Sequence, residues 1–223
     1  MNTKEESMTR IGSLILCATT GIGLLGCGSS GKDTSTDTST TKDPLLVVPA
    51  DSDLSGGWVV DKDSAKDPNA RAMTATTLAG VINLVDGGAE PFFMDPYTPK
   101  MFLWQNYVNK SVTVAGPDGA YVRLYILYMP SAEQASGLYS ALLTTSEYSR
   151  KAGTPDDWTS TDPVVGTTSR IQDTGTQWWI NFYKDVFYVD LMLDPSFGTD
   201  FELHNPELKQ QAVTFAQTIA GRI

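Results

Sequence analysis

Few residues of this 223-residue chain have types and spacings suited to chemistry, and most of those have a plainer use. The two cysteines, Cys17 and Cys27, both lie within the first 27 residues. The rest of the chain has no thiol, which excludes a disulfide framework or a cysteine-based zinc or redox centre there. The single histidine, His204, excludes a multi-histidine metal site. As a general base it would need a positioned serine and an acid, and no Gly-x-Ser-x-Gly turn offers the serine. Asp156-Asp157 and the couple Asp190 and Asp194 are the visible carboxylates for glycoside chemistry. The first follows Pro155 in a turn-like stretch, and alternation within Tyr188-Val189-Asp190-Leu191 points Asp190 to solvent. Asp51-Ser52-Asp53-Leu54-Ser55-Gly56 begins like a calcium loop, with oxygens at alternate positions and glycine sixth. The twelfth position, where a bidentate glutamate belongs, is Lys62, so an acidic turn that also includes Asp61, Asp63 and Asp67 is the simpler reading. Gly21, Gly23 and Gly26 match a dinucleotide fingerprint but lack the strand before and the helix after. The expectation is a non-enzymatic protein with no catalytic residue, no cofactor and no metal.

The elements that would position these residues begin with an unusual first quarter. Residues 11–25 read IGSLILCATTGIGLL, without charge, after Lys4 and Arg10. A basic start, an apolar run of this length and small residues at its end predict a signal peptide over residues 1–26. A membrane span needs about 20 apolar residues, and glycine and threonine dilute this run. Leu24-Leu25-Gly26-Cys27 then offers an aliphatic residue, a tolerant position, a small residue and a cysteine. This quartet resembles the lipobox of bacterial lipoproteins. The resemblance implies that the Cys27 thiol receives a diacylglycerol, that the signal is cut before Cys27, and that the new amine is acylated, palmitate being a typical chain. With Gly28 and not aspartate after the cysteine, the family expectation in a diderm is the outer membrane. Acyl chains contribute about 0.8 kcal/mol per buried CH₂, so two or three on one residue form a lasting anchor.

Residues 27–43 continue as GSSGKDTSTDTSTTKD after the cysteine. Such a stretch has too little apolar surface to offset its ordering entropy and reads as a flexible tether. Its span is roughly 20–25 Å by the random-coil rule. Residues 1–26 hold two bases and two acids, so the net charge of −10 falls on the remainder. An acidic surface repels phosphate backbones, and nucleic acid is not an expected partner. The partners expected are membrane lipid, through covalent acylation of Cys27, and an envelope protein or a small ligand.

Residues 44–223 read as one globular α+β domain, mainly an antiparallel sheet of about six to seven strands packed with about three helices. Leu78, Val81, Ile82 and Val85 set the first helix, capped by Thr76 or Thr77 and ended by Gly87-Gly88. The second runs over residues 132 to about 150, with Ser131 and Gln134 as a capping box and Ala135, Leu138, Tyr139, Leu142 and Leu143 inward. The third opens at Asn205-Pro206, with Leu208, Ala212, Phe215 and Ile219 inward. Strands are predicted at 56–60, 101–107, 112–115, 120–129, 164–172, 177–183 and 186–193. Gly116-Pro117-Asp118-Gly119 would turn 112–115 into 120–129 as a hairpin. In the longer arm Val122, Leu124 and Ile126 face one way, and Tyr121, Arg123 and Tyr125 the other.

Ile82-Asn83, Gly88-Ala89, Tyr128-Met129, Ala135, Gly137 and Tyr139 form a second pattern. It resembles a family of uncharacterised bacterial secreted and envelope lipoprotein domains, with Leu84-Val85-Asp86 as an insertion. The resemblance implies a fold and an envelope location, not a reaction. Among many aromatic residues, Trp104, Trp178 and Trp179 are the candidate partner surface. Adjacent Trp178 and Trp179 must point to opposite faces of a strand. Helices on one face would leave one indole exposed, and helices or loops on both would bury the pair. The combined expectation is a lipid-anchored envelope protein that binds a ligand or partner, with an accessory enzyme built on carboxylates as the alternative.

Overall fold

The computed structural model describes residues 43–63, 72–85, 89–112, 119–144, 157–175, 177–194 and 206–223. The signal segment, Leu24, Leu25, Gly26, Cys27, the tether to residue 42, Asp156 and His204 lie outside the described residues. All described residues fall in the unit Thr41–Ile223.

Strand-rich aromatic and β-branched segments form one antiparallel sheet of eight strands. They are β1 (Val59–Val60), β2 (Met73–Ala75), β3 (Met101–Asn109), β4 (Ala120–Tyr128), β5 (Trp158–Ser160), β6 (Thr168–Asp173), β7 (Trp178–Lys184) and β8 (Phe187–Asp194). The order is β1-β3-β4-β8-β7-β6-β5, and β2 also pairs with β3. Strands β1 and β2 lie end to end along β3, where Val60 faces Tyr107 and Met73 faces Trp104. The helices among the described residues are α1 (Leu78–Val85), α2 (Ala132–Leu142) and α3 (Pro206–Arg222). No helix among the described residues is long and apolar enough to cross a membrane. The fold is α+β, as the alternation of hairpins and helices predicts.

Several boundaries differ from the sequence expectation. Of the predicted 112–115 strand only Val112 lies within the described residues, and β4 has another hairpin partner. That partner is β3, in unbroken register from Met101↔Tyr128 to Asn109↔Ala120. Nine residues of β3 outcompete a four-residue arm, because each adds a ladder pair and a half-buried side chain. Val112 instead ends a turn that folds back on β3, its N–H donating to the Asn109 carbonyl. Gly119 enters β4 at φ +82°, and a Cβ there would lie 2.2 Å from the Asn109 carbonyl oxygen, so glycine is required. The three-residue strands β2 and β5 were too short to show a period. Helix α2 ends at Leu142, well short of 150. Its cap is half a capping box: Ser131 Oγ accepts from Gln134 N at 3.2 Å, while the buried Gln134 Oε1 has no partner. Thr77 Oγ1 caps α1 through Gly80 N.

Both faces of the sheet are covered, and each owns a core. On one face Leu103, Tyr107, Val122, Leu124, Ile126, Val189, Leu191 and Leu193 meet Leu208, Ala212, Phe215 and Ile219 of α3. On the other, Phe102, Leu127, Tyr188 and Trp179 meet Val81 of α1, Phe92 of a one-turn helix (Glu90–Phe93), and Ala135, Leu138 and Leu142 of α2. Phe92 packs against Phe102, Tyr125 and Tyr188 with ring centroids 5.9–6.4 Å apart.

Candidate functional site

The face under α2 carries the polar groups that the apolar pattern did not announce. One cross-strand row runs Trp104, Tyr125, Asp190, Asn181, Arg170, Ser160. The next row runs Asn106, Arg123, Met192, Trp179, Gln172, Trp158. Alternation puts every member of both rows on one face.

Arg170 is 4% exposed. Its Nε donates to Asn181 Oδ1 at 3.1 Å, and Asn181 Nδ2 donates to Asp190 Oδ2 at 2.8 Å. An amide has one acceptor end and one donor end, so Asn181 fits between cation and anion only one way round. Arg170 Nη1 donates to the Tyr139 carbonyl at 2.7 Å, in the last turn of α2, where the helix dipole favours a cation. The guanidinium also lies 4.1 Å from the Tyr139 ring centroid and 5.2 Å from that of Trp158. Its Nη2 is buried without a hydrogen-bond partner.

Arg123 is half-buried and rests on two rings, 4.8 Å from Tyr125 and 5.5 Å from Trp179. Its buried Nε has no hydrogen-bond partner. Gln172, in the same row and 3% exposed, has an unpartnered buried Oε1. Unpartnered buried polar groups of this kind cost about 1–3 kcal/mol each. Burial pushes the Tyr125 hydroxyl above its usual range, with Arg123 lowering and Asp190 raising it further. Burial raises Tyr139 as well, opposed by Arg170 and a hydrogen bond from Thr168.

The structure therefore brings Trp104 and Trp179 to one face, beside Arg123, and sends Trp178 to the other. Trp178 and Trp179 are each 8% exposed, since helices lie on both sides of the sheet. Trp104 is half-buried, its Nε1 donating to Asn106 Oδ1. Asp190 corrects the sequence expectation: it is 1% exposed, because the face that alternation assigned to solvent lies under α2. Arg123, Arg170, Asn181 and Gln172 were not singled out as site residues. The available signal was polar residues two apart in successive strands, with the same parity as tryptophans and tyrosines.

In the acidic segment, Asp67 lies outside the described residues, and the carboxylates of Asp51, Asp53 and Asp61 bond to backbone and to one cation. Asp51 Oδ1 accepts from Val60 N at 2.6 Å, blunting the outer edge of β1. Asp53 Oδ2 accepts from Ala50 N, and its Oδ1 pairs with Arg222 Nη1 at 2.7 Å. Asp61 Oδ1 accepts from Asp63 N. A groove of about 750 Å³ between this segment, Lys110 and Tyr121 mixes both charges. A cleft of about 250 Å³ between Trp58 and α3 is mainly apolar. The α2 face differs from both in holding buried charged donors.

Neither a protein-family profile nor a curated protein matches the chain. It is similar to the crystal structure of the extracellular domain of PknH from Mycobacterium tuberculosis, with a TM-score of 0.34 and 11% identity over 75% of this chain and 82% of that chain. At that level of likeness, neither fold nor function passes from one chain to the other.

Proposed function

We propose that this chain is a lipid-anchored protein of a bacterial envelope, acylated at Cys27, whose domain binds a ligand without transforming it. One observation carries the reading: Leu24-Leu25-Gly26-Cys27 stands between an apolar run and a Ser/Thr/Gly/Asp tether that leads into a folded unit. The tether reaches roughly 20–25 Å, enough to hold the domain clear of lipid headgroups. A binding role is supported by the α2 face, where two arginines lie on aromatic rings. Asp190, on the same face, accepts from Asn181 Nδ2 at 2.8 Å.

The test is expression of the full chain and its Cys27→Ser variant in a bacterial host, with labelled palmitate and cell fractionation. The wild type is expected in the membrane fraction and labelled, the variant in the soluble fraction and unlabelled. A variant that remains membrane-bound overturns the anchor.

A further inference from the structure

We infer that the cleft between Trp58 and α3 is a binding site for a small neutral aromatic ligand of the phenol kind, one ring bearing a hydroxyl. The cleft lies on the opposite face of the sheet from α2, so it stands apart from the binding role supported there. Its volume is about 250 Å³ and its lining is mainly apolar. An apolar cavity of about 150 Å³ takes up benzene, so this one has room for a single substituted ring. Aromatic groups build its inner wall. Tyr107 meets Phe215 edge-on with ring centroids 4.9 Å apart, and Phe215 meets Trp58 at 5.6 Å and 81°. Phe215 and Trp58 both line the cleft, together with Leu54. A ligand ring seated there extends an existing edge-to-face series, which adds to what area burial alone supplies.

One polar atom of the wall asks for a donor. Gln211 lines the cleft and is half-buried, and its Oε1 is buried with no hydrogen-bond partner. The last torsion of a glutamine side chain is soft, so the amide can turn that oxygen into the cleft without moving α3. A ligand hydroxyl then gives it the partner it lacks, as a placed polar group does in a mainly apolar pocket. Charge sets the remaining limit. Glu207 also lines the cleft, and none of the described lining residues is a lysine or arginine. The carboxylate disfavours an anionic ligand, and no cation offsets it.

The test is calorimetric titration of the full chain, solubilised in dodecyl maltoside, with para-cresol, toluene and para-toluate. Micelles take up each compound whatever the protein variant, so differences between proteins read the cleft. Para-cresol is expected to bind saturably, one per chain. Toluene should bind roughly three- to tenfold more weakly for want of the hydrogen bond, and para-toluate at least about tenfold more weakly for its charge. Gln211→Met keeps the side-chain length and should bring para-cresol down to the level of toluene while leaving toluene unchanged. Thr214 is exposed on α3 and lines the cleft, so Thr214→Trp should fold, fill the space and abolish binding of both. Circular dichroism checks the fold of each variant, and should one misfold, the other decides. No saturable heat from para-cresol, equal binding of toluene or para-toluate, an unchanged ratio of para-cresol to toluene in Gln211→Met, or binding that survives Thr214→Trp overturns the assignment. A null titration leaves the anchor and the α2 face as they stand, and membrane residence without Cys27 sinks the anchor alone.

Discussion

Arg170 carries a full charge to a position 4% exposed, and three residues hold it there: Asn181 through its amide, Tyr139 through its carbonyl and ring, and Trp158 through its ring. The charge is balanced at one remove, through Asn181 to Asp190, an arrangement that depends on every member. The same enclosure acts on the two tyrosines beside the arginines. Burial raises the hydroxyl pKa of Tyr125 and Tyr139 above the ordinary value of 10.0. In the unfolded chain both ionise near 10, and in the folded chain they ionise later. Their contribution to stability is therefore full below pH of about 10 and is lost as pH rises through the folded values. Spectrophotometric titration should show the phenolate band growing in two phases, the later one reduced in Tyr125→Phe. A single phase near the ordinary value would contradict this. The sequence places Arg123 and Tyr125 on one face of a strand, but neither Asp190 beside them nor the burial that shifts the tyrosines was readable from it.

At the scale of elements, the carboxyl end of α3 gathers cations. Lys184 Nζ donates to the Ala220 carbonyl at 2.7 Å. Arg222, within the last turn, donates to the Leu46 carbonyl through Nε and Nη2 and pairs with Asp53 through Nη1. One side chain thus ties the segment after the tether to the last helix, and the helix dipole favours its charge. Arg222→Ala should lower stability by about 1 kcal/mol, the bonds being partly solvent-exposed. Hydrogen exchange at residues 44–53 should rise more than in the sheet, and uniform change would contradict the tie. Elements themselves were largely legible. Leu78, Val81, Ile82 and Val85 repeat at helical spacing, Pro206 opens α3, and Asp173-Thr174-Gly175 turns β6 into β7, with Gly175 N donating to Asp173 Oδ1. The pairing of β3 with β4 was not, because a strong turn signal competed with a longer ladder that is visible only once the ten-residue link between them closes.

Across the whole molecule, one sheet serves two cores. Phe215 and Phe92, each 3% exposed, lie in different cores, so damage to either should be felt by both. Phe215→Ala and Phe92→Ala are each expected to cost about 3–5 kcal/mol. Both should lower one cooperative transition in which tryptophan fluorescence and far-ultraviolet circular dichroism coincide. Separate transitions for the two probes would show that the cores unfold independently. Trp178 and Trp179 report on opposite cores, which makes the fluorescence informative about both.

The sequence by itself determined the α+β class, the helical stripes and the turn from β6 into β7, and it sets the expectation of attachment at Cys27. Each of these depends on near neighbours: a period, a cap, a turn residue or a quartet. Tertiary structure decided which polar residues meet. Arg123, Arg170, Asn181, Gln172 and Asp190 come from four strands that are adjacent only in the folded sheet. Alternation assigns such residues to solvent by default. Helices on both faces removed that solvent and turned scattered polar positions into a buried row of charges on an aromatic floor.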